Sequence, residues 1–123
     1  MSRKILVIED EEVMRDLLRL HLGTAGYTVE VADDAIAAGY ALLQSSPDLI
    51  VCDVEMPHMN GFELIGALRA DKAQPRLPVI FLTAEGDEGR ARELAPSEYL
   101  AKPVRLEELL AAVTRLLSPA KKR

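Results

Sequence analysis

The chain contains one cysteine, Cys52, so no disulfide bond can form within it. Cys52 lies inside an apolar run, which favours a small core residue over a functional thiol. The sequence also lacks a signal-peptide pattern and any apolar stretch of bilayer length. These absences predict a protein of the reducing cytoplasm with no membrane insertion.

Positive charge and glycine-rich turns are scarce as well. The 20 acidic residues outnumber the 15 Lys and Arg, and the net charge of −5 disfavours direct binding of nucleic acid by this domain. Residues 9–12 read Glu-Asp-Glu-Glu after the first apolar run, where a GxGxxG or GxxxxGK phosphate-binding turn would place glycines. This acidic turn argues against a flavin or dinucleotide carrier, and a phosphate could approach it only with a cation in between.

The remaining composition is that of a globular protein, with 49% hydrophobic and 28% charged residues. A chain of 123 residues fits one domain over 1–123, and we expect 119–123 to form a tail or a linker stub. Nothing in the sequence indicates a repeat, a low-complexity tract or an internal linker.

Short apolar runs alternate with segments of helical period, which predicts an α/β sandwich with right-handed crossovers. Continuous runs at 5–8, 49–52 and 79–82 are typical of central strands, whereas 27–31 alternates and 99–100 is short, as at sheet edges. Five helices are predicted, and four of them show a row of apolar residues at helical spacing. In chain order these rows are Val13, Leu17, Leu18 and Leu22 in the first helix; Ile36, Tyr40 and Leu43 in the second; Phe62, Ile65 and Leu68 in the third; and Leu106, Leu109, Leu110, Val113, Leu116 and Leu117 in the fifth. The fourth helix, within 85–95, is weakly predicted.

Charged or hydroxyl side chains stand where four of the predicted strands end: Glu9 and Asp10, Asp53, Thr83, and Lys102. Because the carboxyl ends of parallel strands meet at one edge of a sheet, we expect these groups to lie close together. Mg²⁺ prefers carboxylate ligands, and an ionised aspartate can act as a nucleophile that carries a phosphoryl group as an acyl phosphate. The set predicts a site for a phosphoryl group and a cation.

Each member of this set also has an ordinary structural explanation. Asp10 can cap the first helix while the two acids after it complement the helix dipole. Asp53 can be a loop acid, Thr83 a β-branched residue at a strand end, and Lys102 a solvated surface lysine. The functional interpretation therefore depends on all of them occurring together.

The whole chain resembles the receiver domain of two-component response regulators. The motifs that carry the resemblance are the opening Lys-Ile-Leu-Val-Ile-Glu-Asp-Glu at 4–11, Asp53 with Met56-Pro57, Met59 and Gly61, Thr83-Ala84, and Tyr-Leu-Ala-Lys-Pro at 99–103. The resemblance implies a flavodoxin-like, doubly wound sheet of five parallel strands in the order 2-1-3-4-5, with five helices. The stretch from Thr83 to Tyr99 is shorter than is usual in the family, so we expect a shortened fourth helix.

The resemblance also implies a phosphoacceptor. Asp53 would take a phosphoryl group from a phosphohistidine on a sensor histidine kinase or a histidine phosphotransfer protein. Mg²⁺ would be held by Glu9, Asp10, Asp53 and the backbone carbonyl of Glu55. The domain would thus accept one group and lose it slowly by itself, rather than turn over substrate as an enzyme.

Two further residues would bind the phosphoryl oxygens and one would report their presence. The resemblance assigns oxygen binding to Thr83 and Lys102, and it assigns Tyr99 to the aromatic side chain that turns inward on phosphorylation. The surface that changes would contact an output partner whose identity the sequence does not indicate.

A competing interpretation is a Mg²⁺-dependent hydrolase of small phosphate esters that uses an aspartyl nucleophile. Such enzymes resemble haloacid dehalogenases, which place the nucleophile after the first strand with a second aspartate two residues later. Here Asp10 is followed at that spacing by Glu12, and no cap domain could enclose a substrate. The receiver interpretation is favoured for these reasons.

Overall fold

One parallel sheet organises the chain. The computed structural model describes residues 3–44, 46–54, 61–70, 77–83 and 98–117. In chain order the elements are β1 (Lys4–Ile8), α1 (Glu12–Thr24), β2 (Thr28–Ala32), α2 (Ala35–Gln44), β3 (Leu49–Asp53), α3 (Gly61–Ala70), β4 (Val79–Thr83), β5 (Glu98–Ala101) and α4 (Leu106–Leu117).

The strand order is β2-β1-β3-β4-β5, and all four pairings are parallel. The predicted five-stranded, doubly wound fold is therefore confirmed, including the two edge strands. The helix predicted within 85–95 lies outside the described residues. The Lys102–Pro103 peptide bond, directly after β5, is cis.

Burial along the strands follows their position in the sheet. All residues of β3 and β4 are buried, as the continuous apolar runs predict for strands covered on both faces. The alternation predicted for β2 is confirmed, because Val29 and Val31 pack against buried core residues whereas Thr28 is exposed and the Glu30 side chain is 40% exposed. Both neighbouring helices, α1 and α2, contact this edge strand, so neither of its faces is fully open to water.

Two apolar clusters fill the space between the sheet and its helices. On one face, Leu18 and Leu22 of α1 and the inner side of α4 pack against alternate residues of the central strands. On the other face, Ala38 of α2 and Ile65 of α3 pack against the remaining strand residues. The two helical layers cover the faces of the sheet, so polar groups that follow the strands gather in the loops at its carboxyl-end edge.

The apolar row predicted as the buried face of α2 faces solvent instead. The core contact is made by smaller residues, since Ala38 is fully buried and Ala37, Ala41 and Leu42 pack around it. Alanines let the helix approach the sheet closely, and the helix is apolar on nearly every side, so periodicity alone did not distinguish its two faces. The exposed fractions are 72% for Ile36, 66% for Tyr40 and 78% for Leu43.

The row predicted for α1 is half correct. Leu18 and Leu22 are buried, but Val13 is 74% exposed and Leu17 is 38% exposed. α1 ends before Gly26, whose φ of 107° favours glycine, and Asp34 caps α2 by accepting the Ala37 N–H at 2.7 Å.

Across the described part of the chain, none of the helices has the length and apolar character needed to traverse a bilayer.

Candidate functional site

The strand register brings the predicted polar residues to one edge of the sheet. Ile8 of β1 pairs with Cys52, so Glu9 and Asp53 each come one position later on neighbouring strands. On the other side of β3, Thr83 pairs with Ala101, the residue before Lys102. The Lys102 N–H also donates to the Thr83 carbonyl at 2.8 Å, which continues the β4–β5 pairing beyond the last strand residue.

Three carboxylates converge at this edge. One oxygen from each of Glu9, Asp10 and Asp53 lies within 4.8 Å of the others. Glu9 and Asp53 are each only 2% exposed, whereas Asp10 is open to solvent. Oxygen donors at this separation, with one side open to water, fit a hard divalent cation that keeps part of its hydration shell.

Glu9 has an oxygen with no hydrogen-bond partner among the described residues. Its Oε2 accepts the Glu11 N–H at 3.2 Å, but its Oε1 is buried and unpaired. Burial and the nearby charge of Asp53 raise the pKa of Glu9 from 4.5 to about 7, against the opposing effects of the Glu11 N–H and Lys102. Negative charge on this buried, unpaired oxygen is unfavourable, and a cation bound next to it would stabilise that charge.

Lys102 supplies a positive charge to this cluster. Its Nζ donates to Asp53 Oδ1 at 2.6 Å. The Lys102 side chain is 31% exposed and that of Asp53 is 3% exposed, so the pair joins a buried acid to an amine that still contacts water. A charge-assisted bond of this kind is shorter and stronger than a hydrogen bond between neutral groups.

Thr83 lies fully buried at the end of β4, and its Oγ1 has no hydrogen-bond partner among the described residues. A buried hydroxyl without a hydrogen-bond partner destabilises the resting protein, and a bound group that accepts its hydrogen bond would remove that cost. The hydroxyl is therefore available as a donor to a further oxygen at this edge.

Two other residues, Tyr99 and Glu55, are also predicted for the site. Tyr99 is half-buried on the edge strand β5 and packs against the apolar cluster on the α2 and α3 face. Glu55, whose carbonyl is the predicted fourth protein ligand of the cation, lies outside the described residues. The roles assigned to all of these residues stay predictions.

The sequence interpretation did not identify Arg15. Its Nη1 donates to the backbone carbonyls of Glu9 at 3.2 Å and Asp10 at 3.4 Å. An arginine one turn into the helix that follows an acidic loop is the available signal, but Arg15 could equally have pointed to solvent. Cys52, beside the site, is fully buried, and burial raises the pKa of its thiol, which agrees with a core role.

The chain from 5 to 114 matches the family model described as the response regulator receiver domain. Among curated proteins it is 38% identical to the DNA-binding dual master transcriptional regulator RpaA of Synechocystis, over 93% of this chain and 48% of RpaA. It is 40% identical to the phosphate regulon transcriptional regulatory protein PhoB of Rhizobium meliloti, over 98% of this chain and 55% of PhoB. The chain spans about half the length of these relatives.

Solved structures agree with these matches. A putative response regulator from Chloroflexus aurantiacus superimposes with a TM-score of 0.89 at 30% identity, covering 97% of this chain and all of that one. The response regulator TrrA from Thermotoga maritima, solved in complex with Mg²⁺-BeF, gives a TM-score of 0.85 at 31% identity over 94% of this chain and all of its own.

The parallel sheet, the acidic cluster at its carboxyl edge and these matches define a signalling module of two-component systems. The chain belongs to the response regulator receiver domain family. The named relatives are regulators, and they give no support to the competing hydrolase interpretation.

Proposed function

We propose that Asp53 is the phosphoacceptor of this receiver domain. The observation that supports this most directly is the 2.6 Å contact from Lys102 Nζ, which orients the buried Asp53 carboxylate, a potential nucleophile, at the edge where the other acids converge. One carboxylate oxygen of Asp53 attacks the phosphorus of a phosphohistidine. The phosphorus–nitrogen bond breaks, and the imidazole leaves with that electron pair and takes up a proton.

Residues around Asp53 prepare it for this transfer. Lys102 neutralises negative charge as the phosphoryl group arrives and then binds one of its oxygens, and Thr83 Oγ1 donates to another. Glu9, Asp10 and Asp53 would hold Mg²⁺, together with the carbonyl expected of Glu55. Bound Mg²⁺ would offset the charge on the transferring oxygens.

The expected donors are a sensor histidine kinase or a histidine phosphotransfer protein. An exposed apolar row on α1, formed by Val13, Leu17 and Leu20, begins one residue after the start of the helix that follows the acidic turn. A helical donor domain that covers this row would bring its phosphohistidine to the neighbouring sheet edge. Tyr99 is the proposed residue that transmits the bound phosphoryl group to an output partner.

Phosphorylation by acetyl phosphate in the presence of Mg²⁺ tests the proposal without a donor protein. Intact-mass spectrometry should show one added phosphoryl group that survives acid and is lost in base. Asp53→Asn should abolish the addition, whereas Asp16→Asn, which removes an exposed carboxylate on α1, should leave it unchanged. Full labelling of the Asp53→Asn variant would place the acceptor elsewhere.

Slow loss of the group distinguishes this switch from the hydrolase alternative. The protein should release no more than about one phosphate per chain in each labelling and decay cycle, and small phosphate esters should not be turned over. Multiple rapid turnovers of such esters would contradict the receiver role.

A further inference from the structure

A row of large apolar side chains covers the solvent side of α2. It consists of Ile36, Tyr40 and Leu43, which are each about two-thirds to four-fifths exposed. Their spacing of four and three residues places them on one stripe, on the side of the helix away from the residues that pack against the sheet. Isolated exposed apolar residues are ordinary, but three contiguous ones on one helix mark an interaction surface.

The charge of α2 indicates which partner fits this surface. The helix has no charged residue from Ala35 to Gln44. Each of the other described helices has at least one, and examples are Glu12, Arg15, Asp16 and Arg19 in α1, Glu63 in α3, and Glu107, Glu108 and Arg115 in α4. In a two-fold symmetric contact each patch meets its own copy, so like charges near the axis repel. A chain of net charge −5 can meet its own copy at α2 without that repulsion.

The shape of α2 also allows it to pair with itself. A Cβ placed on Gly39 would meet no atom within 4 Å outside its chain neighbours, so the surface of α2 has an open notch at Gly39, the residue before Tyr40. If two copies of the helix cross in antiparallel orientation about the middle of the row, Ile36 faces Leu43 and Gly39 faces Tyr40. Each tyrosine ring then enters the notch of the other copy, as ridges enter grooves between packed helices.

We propose that α2 is the surface through which two copies of this chain associate. The row offers only a few hundred Å² per copy, less than the roughly 800 Å² per partner of a standard stable interface. The association is therefore weak, with a dissociation constant between about 0.1 and about 1 mM. This association does not depend on phosphorylation, so Asp53→Asn should associate like the wild type. The phosphoacceptor role of Asp53 and the self-association through α2 can therefore fail independently of each other.

Sedimentation equilibrium from about 10 μM to about 2 mM tests this self-association. The wild type should change from monomer to dimer over this range. Tyr40→Glu, which places like charges near the axis, should weaken dimerisation at least about tenfold. The matched control is Thr24→Glu, which adds the same charge at an exposed residue at the end of α1 and should behave like the wild type.

A mixing experiment tests the contact independently of any loss of stability in one variant. Tyr40→Glu and Tyr40→Lys should each remain monomeric alone and form a mixed dimer when combined, because opposite charges then meet across the axis. Wild-type protein that stays monomeric at every concentration, a mixture that fails to associate, or a Thr24→Glu variant as impaired as Tyr40→Glu would overturn the proposal. Folding of each variant is checked by far-UV circular dichroism.

Discussion

Lys102 Nζ and Asp53 Oδ1 lie 2.6 Å apart, so the residue that follows β5 and the last residue of β3 form an ion pair across the intervening strand. Asp53 also lies among two other carboxylates, those of Glu9 and Asp10. The amine contributes one positive charge, whereas the three acids carry three negative charges when all of them are ionised. A divalent cation would supply the difference, which links the stability of the domain to the metal.

Replacing Lys102 should therefore destabilise the protein in a metal-dependent way. Lys102→Met removes the amine that is ion-paired with the buried Asp53 carboxylate and should lower the free energy of unfolding by about 1–3 kcal/mol in EDTA, less than for a fully buried pair because the amine is partly solvated. Mg²⁺ should restore part of this loss. Urea unfolding with and without Mg²⁺ measures both effects. Lys4→Met, which breaks a half-exposed pair with Glu30 at 3.2 Å, is the control and should show no recovery by Mg²⁺.

The raised pKa of Glu9 predicts how stability varies with pH in the metal-free protein. Because the pKa rises from 4.5 in the unfolded chain to about 7 in the fold, the folded state binds this proton more tightly. The resulting stabilisation is complete below pH 4.5 and is lost as the pH rises through about 7. The contribution is at most about 3 kcal/mol.

Thermal unfolding in EDTA across this pH window should show the decline, and Glu9→Gln should flatten it. Glu12→Gln changes an exposed acid on the same segment and should retain the slope of the wild type. A Glu9→Gln profile as steep as that of the wild type would assign the pH dependence to another group.

Thr83 should matter to the phosphorylated state and little to the resting one. Its buried Oγ1 has no partner among the described residues, so Thr83→Val, which keeps the shape, should leave the resting protein equally stable or about 1 kcal/mol more stable. If Oγ1 donates to the phosphoryl group, the same variant should lose the stabilisation that Mg²⁺ and acetyl phosphate give the wild type. Thr83→Ser keeps the donor and should retain that gain, and equal gains in all three proteins would argue against a role for the hydroxyl.

The positions of the site residues could be predicted because parallel strands end at a common edge. Glu9, Asp53, Thr83 and Lys102 each follow or close an apolar run, and the register of the strands then determines their proximity. The buried face of α2 could not be predicted in the same way. Its large apolar residues face solvent while its alanines contact the sheet, and hydrophobic spacing alone cannot separate two apolar faces of one helix.

Contacts between side chains and backbone carbonyls are also invisible in a sequence, and Arg15 is the example with a consequence for function. Its guanidinium donates to the backbone carbonyl of Glu9 at 3.2 Å and to that of Asp10 at 3.4 Å. Glu9 and Asp10 are two of the three residues in the carboxylate cluster. From the other side, the Glu9 N–H donates to the Ala32 carbonyl at 3.0 Å. Arg15 therefore acts as a positioning residue that fixes the segment from which two carboxylates project.

Arg15→Ala should weaken Mg²⁺ binding about tenfold, as the loss of groups that orient metal ligands commonly does. Arg15→Lys can keep one donor and should fall between this variant and the wild type. The control is Arg19→Ala, one turn further along α1, where the guanidinium donates to Asp16 at 3.0 Å. Calorimetric titration with Mg²⁺ gives the affinities, and acetyl phosphate labelling at saturating Mg²⁺ should proceed at nearly the rate of the wild type in all three variants. Equal Mg²⁺ affinities for Arg15→Ala and Arg19→Ala would show that the two carbonyl contacts do not position the cluster, since both variants remove one arginine from the same helix.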